Sequence, residues 1–132
     1  MLFLCIHNSA RSQIAEGLMN HLCGDAFQAS SAGTEPGDIH PLAVEVMDEI
    51  GIDISGHRSK SVSGFLGRVF DYVVTVCDQA REACPLFYSA REALHQSFED
   101  PTAAQGTYDE RLAAFRKARD EIKQWIEKTF FG

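Results

Sequence analysis

The sequence predicts an α/β fold, a single-domain three-layer α/β/α arrangement around a four-stranded parallel sheet. Three observations carry this. Short apolar runs at residues 1–4 and 72–76 contain no alternating polar positions, as expected of strands buried on both faces. Other stretches place apolar residues at the spacing of one helical face. Glycine and proline stand at the joints between them. Strands that alternate with helices imply a parallel sheet, because a parallel neighbour needs a crossover and a helix supplies it.

At 132 residues, 45% of them hydrophobic, the chain is expected to form one catalytic domain over residues 1–132, with a core that needs no staples. No apolar run reaches membrane-spanning length. Residues 1–4 are too short for the apolar part of a signal peptide, so the expected location is the cytoplasm. A net charge of −7 argues against nucleic acid and anionic membranes as partners. An anionic ligand must therefore be drawn in by local donors, not by the overall field. The chain is expected to act as a monomer.

The elements follow in order. The run at 1–4 is a buried strand. A helix over 13–22 carries Ile14, Ala15, Leu18, Met19 and Leu22 on one face, with Gly24 as its stop. Residues 27–31 form a second strand, and Ala32-Gly33 and Pro36-Gly37 turn the chain away. Pro41 suits a first helical turn, before the stripe Leu42, Ala43, Val46, Met47 and Ile50 that Gly51 ends. Residues 61–66 make one or two helical turns closed by Gly67. Residues 72–76 are the clearest strand. Asp78 is placed to cap a short helix over 79–83. The stretch 86–98 is ambiguous, with a short strand expected at 96–98. Thr107 and Glu110 form a capping-box pattern before a last helix bearing Tyr108, Leu112, Phe115, Ile122, Trp125, Ile126 and Thr129. Right-handed crossovers leave few topologies, of which the flavodoxin-like order 2-1-3-4 is the expected one. Ligands of such sheets bind beyond the C-terminal strand edges, where Cys5, Cys77 and Asp100 would then converge.

Residues 5–12, Cys-Ile-His-Asn-Ser-Ala-Arg-Ser, join the first strand to the first helix. A strand-to-helix loop of this kind points backbone N–H groups at a bound oxyanion, and the helix N-terminus adds positive potential. Ile6, His7, Asn8, Ser9 and Ala10 would form the cradle. Arg11 offers a planar fork to two anion oxygens. Cys5 sits beneath as the attacking atom, in a field that favours its thiolate. Ser12 can donate to the Cys5 sulfur, or simply cap the helix. Asn8 tolerates a left-handed backbone, which a tight anion loop calls for. The plain alternative, a buried Cys before an ordinary helix, is disfavoured by the polar filling of the loop.

The chain has four cysteines, Cys5, Cys23, Cys77 and Cys84, in spacings that fit no zinc pattern. Cys23, at a helix end, reads as structural. As a helix, the step from Cys77 to Cys84 separates them by about 10 Å. A disulfide needs Cα atoms within roughly 7 Å, so bonding these two would require the segment to unwind. Cys77 fits equally a small core residue that ends a strand. Asp100, before Pro101, fits either a turn or a general acid.

The run from Cys5 to Gly17 resembles the active-site loop of the low-molecular-weight tyrosine phosphatase superfamily. Gly51-Ile-Asp-Ile-Ser55 and Asp71-Tyr-Val-Val-Thr-Val-Cys-Asp78 resemble the same superfamily, and the likeness spans about residues 1 to 130. Within it, Cys77 and Cys84-Pro85 resemble the marks of the thioredoxin-coupled arsenate reductases. The resemblance implies a phosphotyrosine phosphatase I-like fold and reduction of arsenate to arsenite, an arsenical detoxification. Phosphate or sulfate would act as oxyanion mimics. It implies attack by Cys5 on arsenic, Arg11 holding the anion, Asp100 protonating the departing oxygen, then Cys5–Cys77 and Cys77–Cys84 disulfides reduced by thioredoxin. It implies no metal and no organic cofactor.

Three departures qualify the resemblance. The phosphatases carry Asp-Pro-Tyr where this chain has Asp100-Pro101-Thr102, which weakens a phosphotyrosine reading. Some reductases have a second Cys before the loop Arg, where Ala10 stands here. Some bind potassium with Asn, Glu, Ser and Asp. Asn8 and Glu16 match two of these, but Lys60 lies where the acid is expected, so its ammonium is expected to replace the ion. Two rivals remain: a phosphatase acting through a Cys5 phosphoenzyme, and a non-catalytic oxyanion-binding or redox-sensing domain.

Overall fold

The computed structural model describes residues 1–65, 67–77 and 90–131. Its centre is a four-stranded sheet in the order β2-β1-β3-β4, parallel throughout. β1 (Leu2–Cys5) is buried at every position, because it lies inside the sheet and its side chains meet packing on both faces. β3 (Tyr72–Thr75), the other inner strand, is apolar for the same reason. β2 (Ser30–Gly33) and β4 (Glu92–His95) form the edges.

Both edge strands differ from the sequence expectation. The second strand starts later than 27–31, and Gly33 belongs to it rather than to the turn. A Cβ at Gly33 would lie 2.4 Å from the Ile6 carbonyl oxygen and 2.9 Å from the Asn8 nitrogen. Only glycine lets the strand end run this close under the loop after β1. The last strand is Glu92–His95, not 96–98. It pairs in register with Tyr72–Thr75. As an edge strand it exposes Glu92 and Ala93, so no apolar run marks it. The amides of Gln96 and Phe98 still reach the carbonyls of Thr75 and Val76, at 3.0 and 3.1 Å, which is the signal the pattern gave one step late.

Among the described residues three helices pack on one another, and the first of them also packs on β1 and β2. α1 (Arg11–Cys23) begins two residues before the expected 13 and buries an unbroken run from Ser12 to Met19. Gly24 does not adopt a left-handed stop. Its φ is −58°, and the chain leaves through a turn in which the amides of Ala26 and Phe27 share the Cys23 carbonyl. α2 (Pro41–Asp48) opens on Pro41 and ends before Gly51, which has φ +80°. α3 (Tyr108–Ile126) has the expected capping box of Thr107 and Glu110 and buries Leu112, Phe115, Ile122 and Ile126. It continues into a π-helical turn, Glu127–Phe131. Glu49 clamps α2 to α3, accepting from Arg116 at 2.6 Å and Arg119 at 2.8 Å. The expected turns at 61–66 are a 3-10 turn at Val62–Phe65. The expected helix at 79–83, its Asp78 cap and Cys84 lie outside the described residues.

Candidate active site

The loop between β1 and α1 is held from outside. The carbonyls of Ile6, His7 and Ser9 accept hydrogen bonds from the amides of Glu35 (2.8 Å), Gly37 (2.9 Å) and His40 (2.9 Å). The Ser59 hydroxyl also donates to the His7 carbonyl, at 2.8 Å. His7 Nδ1 donates to the Glu35 carbonyl at 2.9 Å. Every described peptide bond is trans. In a trans peptide the carbonyl and the next N–H point in opposite directions. Fastening these three carbonyls outward therefore turns the amides of His7, Asn8 and Ala10 toward the loop interior. The Asn8 amide does meet Cys5 Sγ, at 3.2 Å. Asn8 has φ +52°, the single left-handed non-glycine among the described residues. Its side chain is the kind that tolerates this conformation.

A buried polar chain runs beneath the loop. Cys5 Sγ lies 2.8 Å from Ser12 Oγ. Asn8 Nδ2 donates to Ser12 Oγ at 2.8 Å, which leaves the Ser12 proton for the sulfur. Asn8 Oδ1 accepts in turn from Gln13 Nε2 (2.9 Å) and the Lys60 amide (2.8 Å). His57 Nδ1 sits 3.1 Å from Gln13 Oε1 and 3.0 Å from Glu16 Oε2. Glu16 Oε1 accepts from the Ser31 hydroxyl at 2.9 Å and faces Lys60 Nζ at 3.6 Å. Asn8, Ser12 and Gln13 are fully buried. Among the described residues no buried side-chain polar atom lacks a partner. Ser12 is therefore not the helix cap. It lies inside α1, the cap position is Ala10, and Ala10 offers no side-chain bond.

Arg11, the first residue of α1, projects to the opposite rim. Its Nη1 donates to the Phe98 carbonyl at 3.0 Å, and its Nη2 lies 3.6 Å from Asp100 Oδ2. The two oxygens of Asp100 have different partners. Oδ1 accepts from the Thr102 amide (2.9 Å) and hydroxyl (2.7 Å), which caps the turn Pro101–Ala103. Oδ2 faces Arg11. Cys5, His7, Ser9, Ala10, Arg11, Asp100 and Thr102 line one narrow cleft of about 10 Å³. A cavity of about 470 Å³ lies on the other side of Asp100, along α3, and does not include the loop. The narrow cleft is the chemically relevant one, because an anion cradle is a convergence of donors and not a large void.

Cys77 follows β3 and is buried. β1 and β3 are neighbours with Leu4 opposite Thr75, and the Val76 amide donates to the Leu4 carbonyl at 2.9 Å. Cys5 and Cys77 thus leave adjacent strands at the same sheet edge. Cys5 and Cys23 are free thiols. Cys23 is at the far end of α1, where burial pushes its thiol up. The structure brings together residues 5–12, Asp100 and the end of β3. The sequence does not mark Gln13, His57, Gly33 or the segment 35–40 as parts of the site. Gln13 and Glu16, polar on a helix that also carries Ile14, Ala15, Leu18 and Met19, were the available signal. Nothing local marked the others. Among the described residues no group of three His, Cys, Asp or Glu is placed to hold a metal, and no helix is long and apolar enough to cross a membrane.

The family model for low molecular weight phosphotyrosine protein phosphatases matches residues 1–130. An arsenate reductase of Halalkalibacterium halodurans is 46% identical over 128 residues, 97% of this chain and 91% of that protein. A solved structure of an arsenate reductase in the phosphate-binding state superimposes with a TM-score of 0.83 at 31% identity, covering 96% of this chain and 92% of that one. A thioredoxin-dependent arsenate reductase of Corynebacterium glutamicum superimposes with a TM-score of 0.65 at 29% identity, covering 97% of this chain and 61% of that one.

Proposed function

As this chain belongs to the low molecular weight phosphotyrosine protein phosphatase family, we propose that it reduces arsenate to arsenite, with Cys5 as nucleophile and thioredoxin as the final reductant. The observation that carries this reading is the convergence on Cys5 Sγ of the Asn8 amide and the Ser12 hydroxyl, inside a loop whose amides face it. Donors in that arrangement suit a sulfur nucleophile below a tetrahedral oxyanion. Arsenate is favoured as that oxyanion by the likeness to arsenate reductases and by Thr102 in place of the phosphatase tyrosine.

Arsenate binds to the amides of the loop and to Arg11. The Cys5 thiolate attacks arsenic(V), an As–O bond breaks, and Asp100 gives the departing oxygen its proton, so that water leaves. The Cys77 thiolate then attacks Cys5 Sγ. The Cys5–Cys77 disulfide forms as the S–As electron pair passes to arsenic, and arsenite, arsenic(III), is released. Cys84 attacks Cys77 Sγ and frees Cys5 as thiolate. A thioredoxin dithiol reduces the Cys77–Cys84 disulfide and is itself oxidised. Each exchange needs the next sulfur in line and within reach. The adjacency of β1 and β3 supports the first one.

Disulfide mapping tests this reading. After one turnover on arsenate and alkylation of free thiols, mass spectrometry is expected to find Cys77 bonded to Cys84, and Cys5 bonded to Cys77 when Cys84 is serine. Cys77→Ser and Cys84→Ser are expected to lose multiple turnover while Cys5 remains reactive; full steady-state reduction by both variants would sink the relay. The family's phosphatase chemistry is the second reading, favoured by Asp100 Oδ2 beside Arg11. It needs only Cys5, Arg11 and Asp100. It is distinguished by faster turnover of an aryl phosphate than of arsenate with thioredoxin.

A further inference from the structure

The segment that fastens the loop ends on His40, and His40 holds two structures at once. Its backbone N–H donates to the Ser9 carbonyl at 2.9 Å. Its imidazole Nδ1 accepts from the Leu42 amide at 3.1 Å and caps α2. The ring lies 4.7 Å from the Phe115 ring, tilted by 34°. An Nδ1 that accepts an amide proton carries none itself, so the ring is neutral with its proton on Nε2.

We propose that His40 is a positioning residue for the oxyanion loop, its neutral ring capping α2 and thereby keeping the Ser9 carbonyl outward and the Ala10 amide inward. The inference rests on residues 5–12 being an oxyanion site. The coupling is short. One residue provides the cap through its side chain and the tether through its backbone, so loss of the cap moves the tether. Pro41, at the first position of α2, sets φ between the two and leaves little slack.

Protonation undoes the arrangement. A proton on Nδ1 would face the Leu42 N–H, donor against donor, and would put a cation at the positive end of α2. Burial and Arg111, from α3, hold the His40 pKa below its ordinary value; Asp100, from the loop before Pro101–Ala103, pulls the other way. Phe115 contributes a face and no charge. The ring is therefore neutral through the neutral range and charges only under acid conditions, where the tether on the Ser9 carbonyl is lost.

Binding of inorganic phosphate by calorimetry, for the parent, His40→Asn and His40→Leu from neutral pH to about pH 5, tests this. Phosphate titrates equally for all three proteins, so the ratios between them are read. At neutral pH His40→Asn, which still caps, is expected within about twofold of the parent, and His40→Leu about fivefold weaker, the usual worth of a cap. On acidification the parent is expected to fall toward His40→Leu, while His40→Asn does not follow. The imidazole nitrogen shifts of His40 are expected to report an unprotonated Nδ1 at neutral pH. Three proteins that bind alike, with ratios unchanged by pH, overturn the proposal alone. A parent that binds no phosphate at any pH overturns the oxyanion reading and the proposal with it. If His40→Leu does not fold, the pH dependence of the parent-to-His40→Asn ratio decides.

Discussion

Ser12 is the link between the buried polar chain and the sulfur, so Ser12→Ala isolates what that chain does. Its hydroxyl accepts from Asn8 Nδ2 and serves Cys5 Sγ, both at 2.8 Å, in a position with no exposure. Alanine removes both bonds and takes from Asn8 Nδ2 an acceptor that water cannot replace. Leaving a buried donor without its partner costs about 1–3 kcal/mol, and we expect about 2 kcal/mol less stability in urea unfolding. A hydroxyl donating to a thiolate is a charge-assisted bond worth about 1.5–3 kcal/mol. Taking the low end, alkylation of Cys5 by iodoacetamide near neutral pH is expected to slow about tenfold. It does not stop, because the Asn8 amide still donates at 3.2 Å. The assay follows the Cys5 peptide by mass spectrometry, since the chain has three other cysteines. Combined with Asn8→Ala, the two changes are expected to be non-additive by at least about 0.5 kcal/mol, as neighbours in one network are. A Ser12→Ala protein with the parent's urea midpoint and the parent's alkylation rate would refute the idea that this chain acts on the sulfur.

Other outcomes follow from the same geometry. Gly33→Ala places a Cβ 2.4 Å from the Ile6 carbonyl, a backbone atom that cannot swing aside. It should lower stability by about 3 kcal/mol, the upper end for overpacking, with weaker phosphate binding; an unaltered urea midpoint counts against the close approach. Lys60 Nζ lies 3.6 Å from Glu16 Oε1 and donates to the Arg58 carbonyl at 2.9 Å. Replacing sodium by potassium should leave both melting temperature and turnover unchanged, and a marked rise in either means that a cation site is retained. Arg116 and Arg119 hold the Glu49 carboxyl below its ordinary pKa. A depressed folded-state pKa adds stability that is present above the unfolded value and is lost as pH falls through the folded one. Parent stability should therefore drop more steeply than that of Glu49→Gln on acidification below the usual carboxylate range; parallel profiles would remove the clamp from the pH response.

The inner strands were legible because burial on both faces writes an apolar run into the chain. The edge strands were not. At β4 exposed Glu92 and Ala93 look like loop, and at β2 Gly33 looks like a turn until the loop it passes beneath is seen. α3 was plain from its capping box and its stripe, which are local features. The start of α1 is hidden in the sequence because Arg11 and Ser12 are polar, yet Ser12 faces a buried sulfur.

The order of residues 5–12, by itself, determined that a thiol, a run of amides and a guanidinium would meet at one helix start, since all of these are neighbours along the chain. It also determined where Asn8 would carry a left-handed backbone. Tertiary structure alone decided which way the loop amides face, because the carbonyls that set their direction are tied by residues 35–40, roughly thirty positions away. It alone brought Gln13, His57 and Lys60 onto Asn8 and Glu16, and Asp100 onto Arg11. Local sequence specifies which groups are present. Their direction comes from hydrogen bonds between segments that meet only when the sheet has closed.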